Sequence, residues 1–307
     1  VTYEQKKAGS SPFNPYQRTL RRNAGRHCPK IGMIYTVLSN RFVSGAMRSL
    51  LGLLLMVQGF LINAQSQEAC IVKNKAFNPG EKITYKVVYN WNSLWLNAGE
   101  VTFSVNDAVY GSDKVYHILG EGSTYKSYDW FYKVRDTYES YIDQETMRPV
   151  KFIRNVYEGG YTIYNNVTFK HDEGKAISTG GEFAIPDCTQ DVLSAVYYSR
   201  NIDFNSYRVN DTIPVNLFLD DSLFHIYIRY LGKEQIKTPS GTYNCIKFRP
   251  LLITGTIFRG GEKMTVWVTD DDNKIPVLVE SPIVVGFIRA ELHKFSGLRN
   301  PMRAKIG

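Results

Sequence analysis

The chain has 307 residues, with 37 Lys or Arg against 29 Asp or Glu and a formal net charge of +8. All of that excess lies before residue 65, where nine basic side chains from Lys6 to Arg48 face the single acid Glu4. The remainder is charge-neutral, which excludes the broad basic footprint of a nucleic-acid binder.

Residues 1–46 start with Val1 and carry neither helical nor strand periodicity. They are expected to be a disordered leader translated from upstream of the true start, Met47. The rival reading is a basic arm for nucleic acid or membrane. Residues 47–64 have the order of a secretory signal peptide: Met47-Arg48, an apolar run from Leu50 to Leu61 broken by Gln58 and two glycines, then Ala64. A bilayer span needs roughly 20 apolar residues, and this run is shorter. Cleavage after Ala64 sends the chain to the periplasm or the periplasmic face of the outer membrane. Lipid attachment at Cys70 is disfavoured, because Gln67-Glu68-Ala69 puts no aliphatic residue at the −3 position.

A linker at 65–76 precedes a body whose hydrophobic period is two. Ile83, Tyr85, Val87 and Tyr89 share one face; Val101, Phe103 and Val105 share another. Phe224, Ile226, Ile228 and Tyr230 repeat the pattern, as do Ile288, Ala290 and Leu292. One apolar and one polar face per strand predicts antiparallel pairing. Turns are expected at Tyr110-Gly111-Ser112, Glu158-Gly159-Gly160, Asp220-Asp221, Pro239-Ser240-Gly241 and Asp271-Asp272-Asn273. A short helical turn is expected at Ser127–Phe131, and a helix at Thr189–Arg200 with Thr189 as its N-cap. Asp143–Pro149 and Asp270–Pro276 have the same span, each between an aromatic strand and a Pro-Val. The fold class is therefore all-β and mainly antiparallel: two related curved sheets, or a β-barrel-like sandwich, with one or two short helices. The units run 77–180 and 208–299, joined by a helical connection at 181–207, with a tail at 300–307. Generic acidic hairpins explain the repeat equally well.

"AGEVTFSV", "STYKSYDWFYKVRDTYESYID", "TQDVLSAVYYSRNIDF", "IRYLGKEQIKTPSGTYNCIKFRPLL" and "MTVWVTDDDNKIPVLVESPIVVGFIRAEL" resemble a bacterial envelope family catalogued as domain of unknown function 3108 and common in Bacteroidetes. The resemblance runs from about Phe77 to Pro301. It implies export and a β-rich domain, and it carries over no catalytic residue.

Candidate site residues are aromatic. Tyr125, Trp130 and Tyr132 lie in a ring-dense stretch, and Trp91 and Trp95 precede it. Rings beside polar groups bind sugars by stacking or line an apolar cavity; rings that merely fill a twisted sheet are the plainer reading. Arg135, Asp136 and Arg154 suit a buried ion pair or a ligand clamp, against an ordinary surface pair. Cys70 and Cys188 are the expected disulfide, and Cys245 reads as a small buried hydrophobe. The histidines have no metal-ligand spacing, and no metal or cofactor is expected. Glu139 and Glu158 are carboxylates of the kind a glycosidase pairs, with nothing further to join them. The leading expectation is an exported, non-enzymatic protein binding a lipid, glycan or envelope protein through a concave aromatic surface, with peripheral membrane association allowed. A carboxylate-pair or Cys–His hydrolase and a structural assembly factor are the alternatives.

Overall fold

The computed structural model describes residues 72–91, 94–253, 260–283 and 286–306, with the backbone alone of Trp91. The leader, the signal segment and Cys70 lie outside the described residues. The described residues belong to one compact unit, Ser66–Gly307.

The strands are β1 (Lys82–Trp91), β2 (Leu94–Tyr110), β3 (Asp113–Thr124), β4 (Val134–Asp143), β5 (Pro149–Glu158), β6 (Tyr161–Lys170), β7 (Lys175–Ser178) and β8 (Gly181–Ala184). After the helix α1 (Val192–Ser199) come β9 (Thr212–Leu219), β10 (Ser222–Thr238), β11 (Gly241–Pro250), β12 (Thr265–Thr269), β13 (Pro276–Pro282), β14 (Phe287–Ser296) and β15 (Lys305–Ile306). They make one sheet rather than two, in the order β8-β7-β6-β5-β4-β3-β2-β1-β14-β13-β12-β11-β10-β9, with β15 beside β11. All of its strand ladders are antiparallel. The period-two faces hold: Ile83, Tyr85, Ile228, Tyr230 and Leu292 are buried.

Register shifts at Thr84/Tyr85, Val87/Val88, Tyr141/Ile142, Tyr230/Gly232 and Trp267/Val268 bend the strands, because an extra residue tightens local twist. The sheet curls until its two edges approach without closing. Side chains span the remaining seam. Phe218 of β9 packs against Phe183 of β8 at 5.5 Å and Phe169 of β6 at 6.1 Å. Asp220 and Asp221 form the β9–β10 turn with φ of 49° and 56°, the paired left-handed geometry of a type I′ hairpin. Asp220 pairs with Arg154 of β5, and Asp221 accepts from Ser178 of β7.

The helix α1 lies inside this curl, packing on β3, β4 and β9. Leu193 and Tyr197 join Phe77, Ile118, Ile142, Phe152 and Phe218 in one core; each such side chain contributes about 1.5–3 kcal/mol by leaving water. Asp191, not Thr189, is the N-cap. Its carboxylate accepts from Leu193 N and Ser194 N, both at 2.8 Å, and from the Ser140 hydroxyl at 2.7 Å. Thr189 instead donates its hydroxyl to Pro186 O at 2.7 Å. The expected helical turn near Ser127 is a 3-10 turn at Lys126–Tyr128.

Antiparallel pairing sorts the connections onto two ends. The connections at 125–133, 159–160, 179–180 and 220–221, and the strand ends Trp91, Leu94, Pro250, Thr265, Pro282 and Phe287, share one end, here called the upper. Those at 111–112, 144–148, 171–174, 239–240 and 270–275 share the lower end. The two matched turns, Asp143–Pro149 and Asp270–Pro276, both lie there. Each carries a residue with positive φ four places after its first aspartate: Met147 at 59° and Lys274 at 44°. The segment 72–81 and the tail 297–306 are also at the lower end, where Asn300 N donates to Asn273 Oδ1 at 3.0 Å and Asn300 Nδ2 to Lys75 O at 2.9 Å.

Candidate functional site

The exposed large apolar side chains are concentrated at the upper end. Leu94 and Trp95 stand at the β1–β2 hairpin, Trp130, Phe131 and Tyr132 on the β3–β4 connection, and Tyr157, Tyr161 and Tyr164 around the β5–β6 hairpin. Trp130 is 84% exposed and Phe131 66%. The β3–β4 connection is held from below. Arg135 points outward, pairs with Asp129 at 2.6 Å and donates to Thr124 O at 3.1 Å. Tyr125 donates its hydroxyl to Glu100 Oε1 at 3.1 Å. Tyr132 crosses to the β5–β6 turn, where a Cβ on Gly159 would lie 2.4 Å from its ring. Gly159 also has a φ of +58°, so this position requires glycine twice over.

Two cations sit on rings at this end. Arg289 covers Trp95 at 4.4 Å, and the Lys133 ammonium lies over Tyr157 at 5.4 Å. The Trp91 side chain lies outside the described residues. Five of the expected ring positions thus belong to one end of the barrel, four of them with described side chains.

Beneath the rings, β4 and β5 turn polar residues inward. Arg135 and Asp136 do not pair, because successive strand residues face opposite sides. Asp136 shares the inner parity of Tyr138, Ser140 and Ile142, and there it hydrogen-bonds the Glu158 carboxyl. Burial and the neighbouring Glu158 charge push Asp136 up to about 7, so Asp136 is about half protonated at neutral pH. Arg154 is buried beside them. Its Nε donates to Asn165 Oδ1 at 2.7 Å, and its outer nitrogen reaches Asp220. Tyr138 bonds to Arg154, and burial pushes its phenol up to about 12.

Glu139 and Glu158, coupled only by type in the sequence, lie on opposite faces. Glu139 is outside, at 2.8 Å from His117 Nε2 and accepting from the Tyr141 hydroxyl at 3.1 Å. Cys188 is disulfide-bonded, and Cys70, its expected partner, lies outside the described residues. Cys245 is a buried free thiol, pushed up to about 12 by burial and by Asp270 and Glu234; a nucleophilic cysteine needs the opposite shift. Among the described residues, no three His, Cys, Asp or Glu side chains gather as a metal would require, and no helix is long and apolar enough to cross a membrane.

Two pockets among the described residues have linings without the candidate rings. An interior void bounded by Ile83, Tyr85, Phe103, Val196, Tyr197, Arg200 and Pro276 measures about 20 Å³, room for one water. A larger groove of about 540 Å³ lies among Lys82, Thr84, Glu100, Thr102 and His293, and contains none of the candidate rings.

A family profile described as protein of unknown function DUF3108 matches residues 84–293. The chain belongs to this family. No curated protein matches the chain. Its fold is similar to a β-barrel-like protein from Brucella abortus, a domain of unknown function DUF1849, with TM-score 0.50 and 10% identity over 73% of this chain and 99% of that one. A structure provisionally described as a lipoprotein, from Parabacteroides distasonis, aligns at TM-score 0.33 and 14% identity, covering 75% of this chain and all of its own. A third, provisionally described as an exported protein, from Bacteroides fragilis, aligns at TM-score 0.27 and 12% identity over 73% and 99%. The Brucella structure supports the DUF3108 chain's barrel-like architecture.

Proposed function

We propose that this DUF3108 protein is exported by its signal segment and acts in the cell envelope as a binding protein. It engages its lipid, glycan or protein target through the ring-bearing upper end and catalyses no reaction. The observation that carries this reading is the collection of exposed rings from three separate strand connections at one end of the curled sheet. Exposed tryptophan and phenylalanine forgo the stabilisation of burial, and their gathering at one end of the fold marks a contact surface.

The test is purification from the native envelope of the wild type and of a Trp130→Ser/Phe131→Ser variant, followed by native mass spectrometry and lipid extraction. The expected result is a co-purifying lipid, glycan or protein that the variant loses while keeping its melting temperature. Equal recovery from both proteins, or none from either, rejects ring-end binding.

The Asp136–Glu158 pair favours a second reading, a carboxylate hydrolase. The two carboxyls hydrogen-bond one another, closer than the roughly 5 Å of a retaining glycosidase pair. Release of reducing sugar from envelope glycans by the wild type but not by Asp136→Asn would favour this second reading over the first.

A further inference from the structure

We infer that the upper end docks onto the surface of an anionic phospholipid bilayer, an inference that rests on the ring-end reading above and names its target. Three observations select this occupant. First, the rings stand on the tips of strand connections, at Trp95, at Trp130 to Tyr132 and at Tyr161. A soluble small ligand is held in a concavity that buries most of its surface, whereas separated projections suit a deformable sheet of lipid into which each tip sinks on its own.

Second, the composition of the tips is interfacial. Tryptophan and tyrosine have an apolar body and one polar edge, which places them at headgroup depth. The one fully apolar ring of the β3–β4 connection, Phe131, stands between Trp130 and Tyr132.

Third, the outward charge on this connection is positive. Asp129 is already neutralised by Arg135 at 2.6 Å. Asp136 and Glu158 are turned inward onto each other. Lys126 and Lys133 remain, with no ion-pair partner among the described residues, and Lys133 stays on the outside over Tyr157. Ammonium groups beside interfacial rings complement lipid phosphates, and their contribution falls off within a Debye length. The described segments 72–81 and 297–306 meet at the opposite, lower end.

The test is flotation of the mature full-length protein with vesicles of phosphatidylcholine alone and of phosphatidylcholine with one-third phosphatidylglycerol, together with tryptophan quenching by lipids brominated at shallow and deep acyl positions. Expected results are binding to the anionic vesicles that weakens with added salt, and quenching by the shallow probe. Trp130→Ser/Phe131→Ser should lower partitioning at least ten-fold, and Lys126→Glu/Lys133→Glu about ten-fold, with melting temperatures unchanged. Absence of binding to both vesicle types overturns the inference, as does binding unaffected by the ring variant. If a soluble envelope glycan or protein instead shifts the Trp130 fluorescence, the membrane target falls and the ring-end reading stands. If neither vesicle, glycan nor protein responds to the ring variant, both fall.

Discussion

Arg200 grips Glu81 with two parallel hydrogen bonds, at 2.6 and 2.8 Å, and both side chains are sealed from solvent. The guanidinium also donates to Asn273 O at 2.9 Å and lies over the rings of Phe77 and Tyr197. One side chain at the end of α1 therefore ties the helix to the chain before β1 and to the β12–β13 turn. Removing one partner leaves the other charge buried and unpaired, which costs about 3–5 kcal/mol. Arg200→Ala and Glu81→Ala should each lower the melting temperature by roughly 6–20 °C on that basis. Arg200→Met with Glu81→Leu should lose less than either single change. Calorimetry of the four proteins checks this.

The Asp136–Glu158 pair makes a pH prediction. Asp136 has a folded pKa of about 7, raised above the ordinary carboxylate range by burial and by Glu158. Between pH 4 and 7 the folded state holds a proton that the unfolded chain releases, so stability falls as pH rises through this window. Asp191, pushed up to about 6 by burial, acts in the same sense at the lower part of the range. The contrast is cleanest from pH 6 to 7.5, where wild type should lose about 0.5–1 kcal/mol after allowing for the solvent screening of the half-buried Asp136. Asp136→Asn should be flat over that interval. Urea midpoints at four pH values decide it.

At the other end of the helix, Asp191 is both N-cap and partner of Ser140. Asp191→Ala removes the acceptor of two backbone N–H groups and leaves the buried Ser140 hydroxyl unmatched. The expected loss is about 2–4 kcal/mol, from the cap and the orphaned hydroxyl together. Asp191→Asn retains an acceptor and should lose about half as much. Thr189→Ala, which takes no part in the cap, should lose less than either.

The seam predicts a local effect. A Cβ at Gly180 would lie 2.0 Å from Asp221 Oδ2, so Gly180→Ala must displace the carboxylate that Ser178 grips. Hydrogen exchange should accelerate in β7, β8 and the β9–β10 turn while β3, at the centre of the first core, keeps its protection. Uniform acceleration over all strands would show that the seam is not a separate unit.

Alternation was enough to read the strands. Ile83 and Tyr85, or Ile228 and Tyr230, announce their inner face two residues at a time, and Asp220-Asp221 announces its turn. The helix was visible but its start was not. Thr189 and Asp191 are both cap-forming residues, and only the backbone beyond them decides which carboxylate or hydroxyl meets free N–H groups. The Asp136–Glu158 contact was also hidden, although half of it could have been found. Parity alone puts Asp136 with Tyr138 and Ile142, and Glu158 with Phe152 and Val156. Their meeting depends on register: Val134 faces Glu158 and Asp136 faces Val156, a pairing fixed across the β4–β5 hairpin. The destination of the rings was harder still, since which strand connections share an end depends on the strand order of the whole sheet.

Both chain ends of the folded body emerge opposite the exposed rings, and this gives the molecule a polarity. A fluorophore, an affinity handle or a surface tether attached there would hold the barrel by its foot and leave the other pole pointing away. Labels placed there report on the rings at the far pole without touching them.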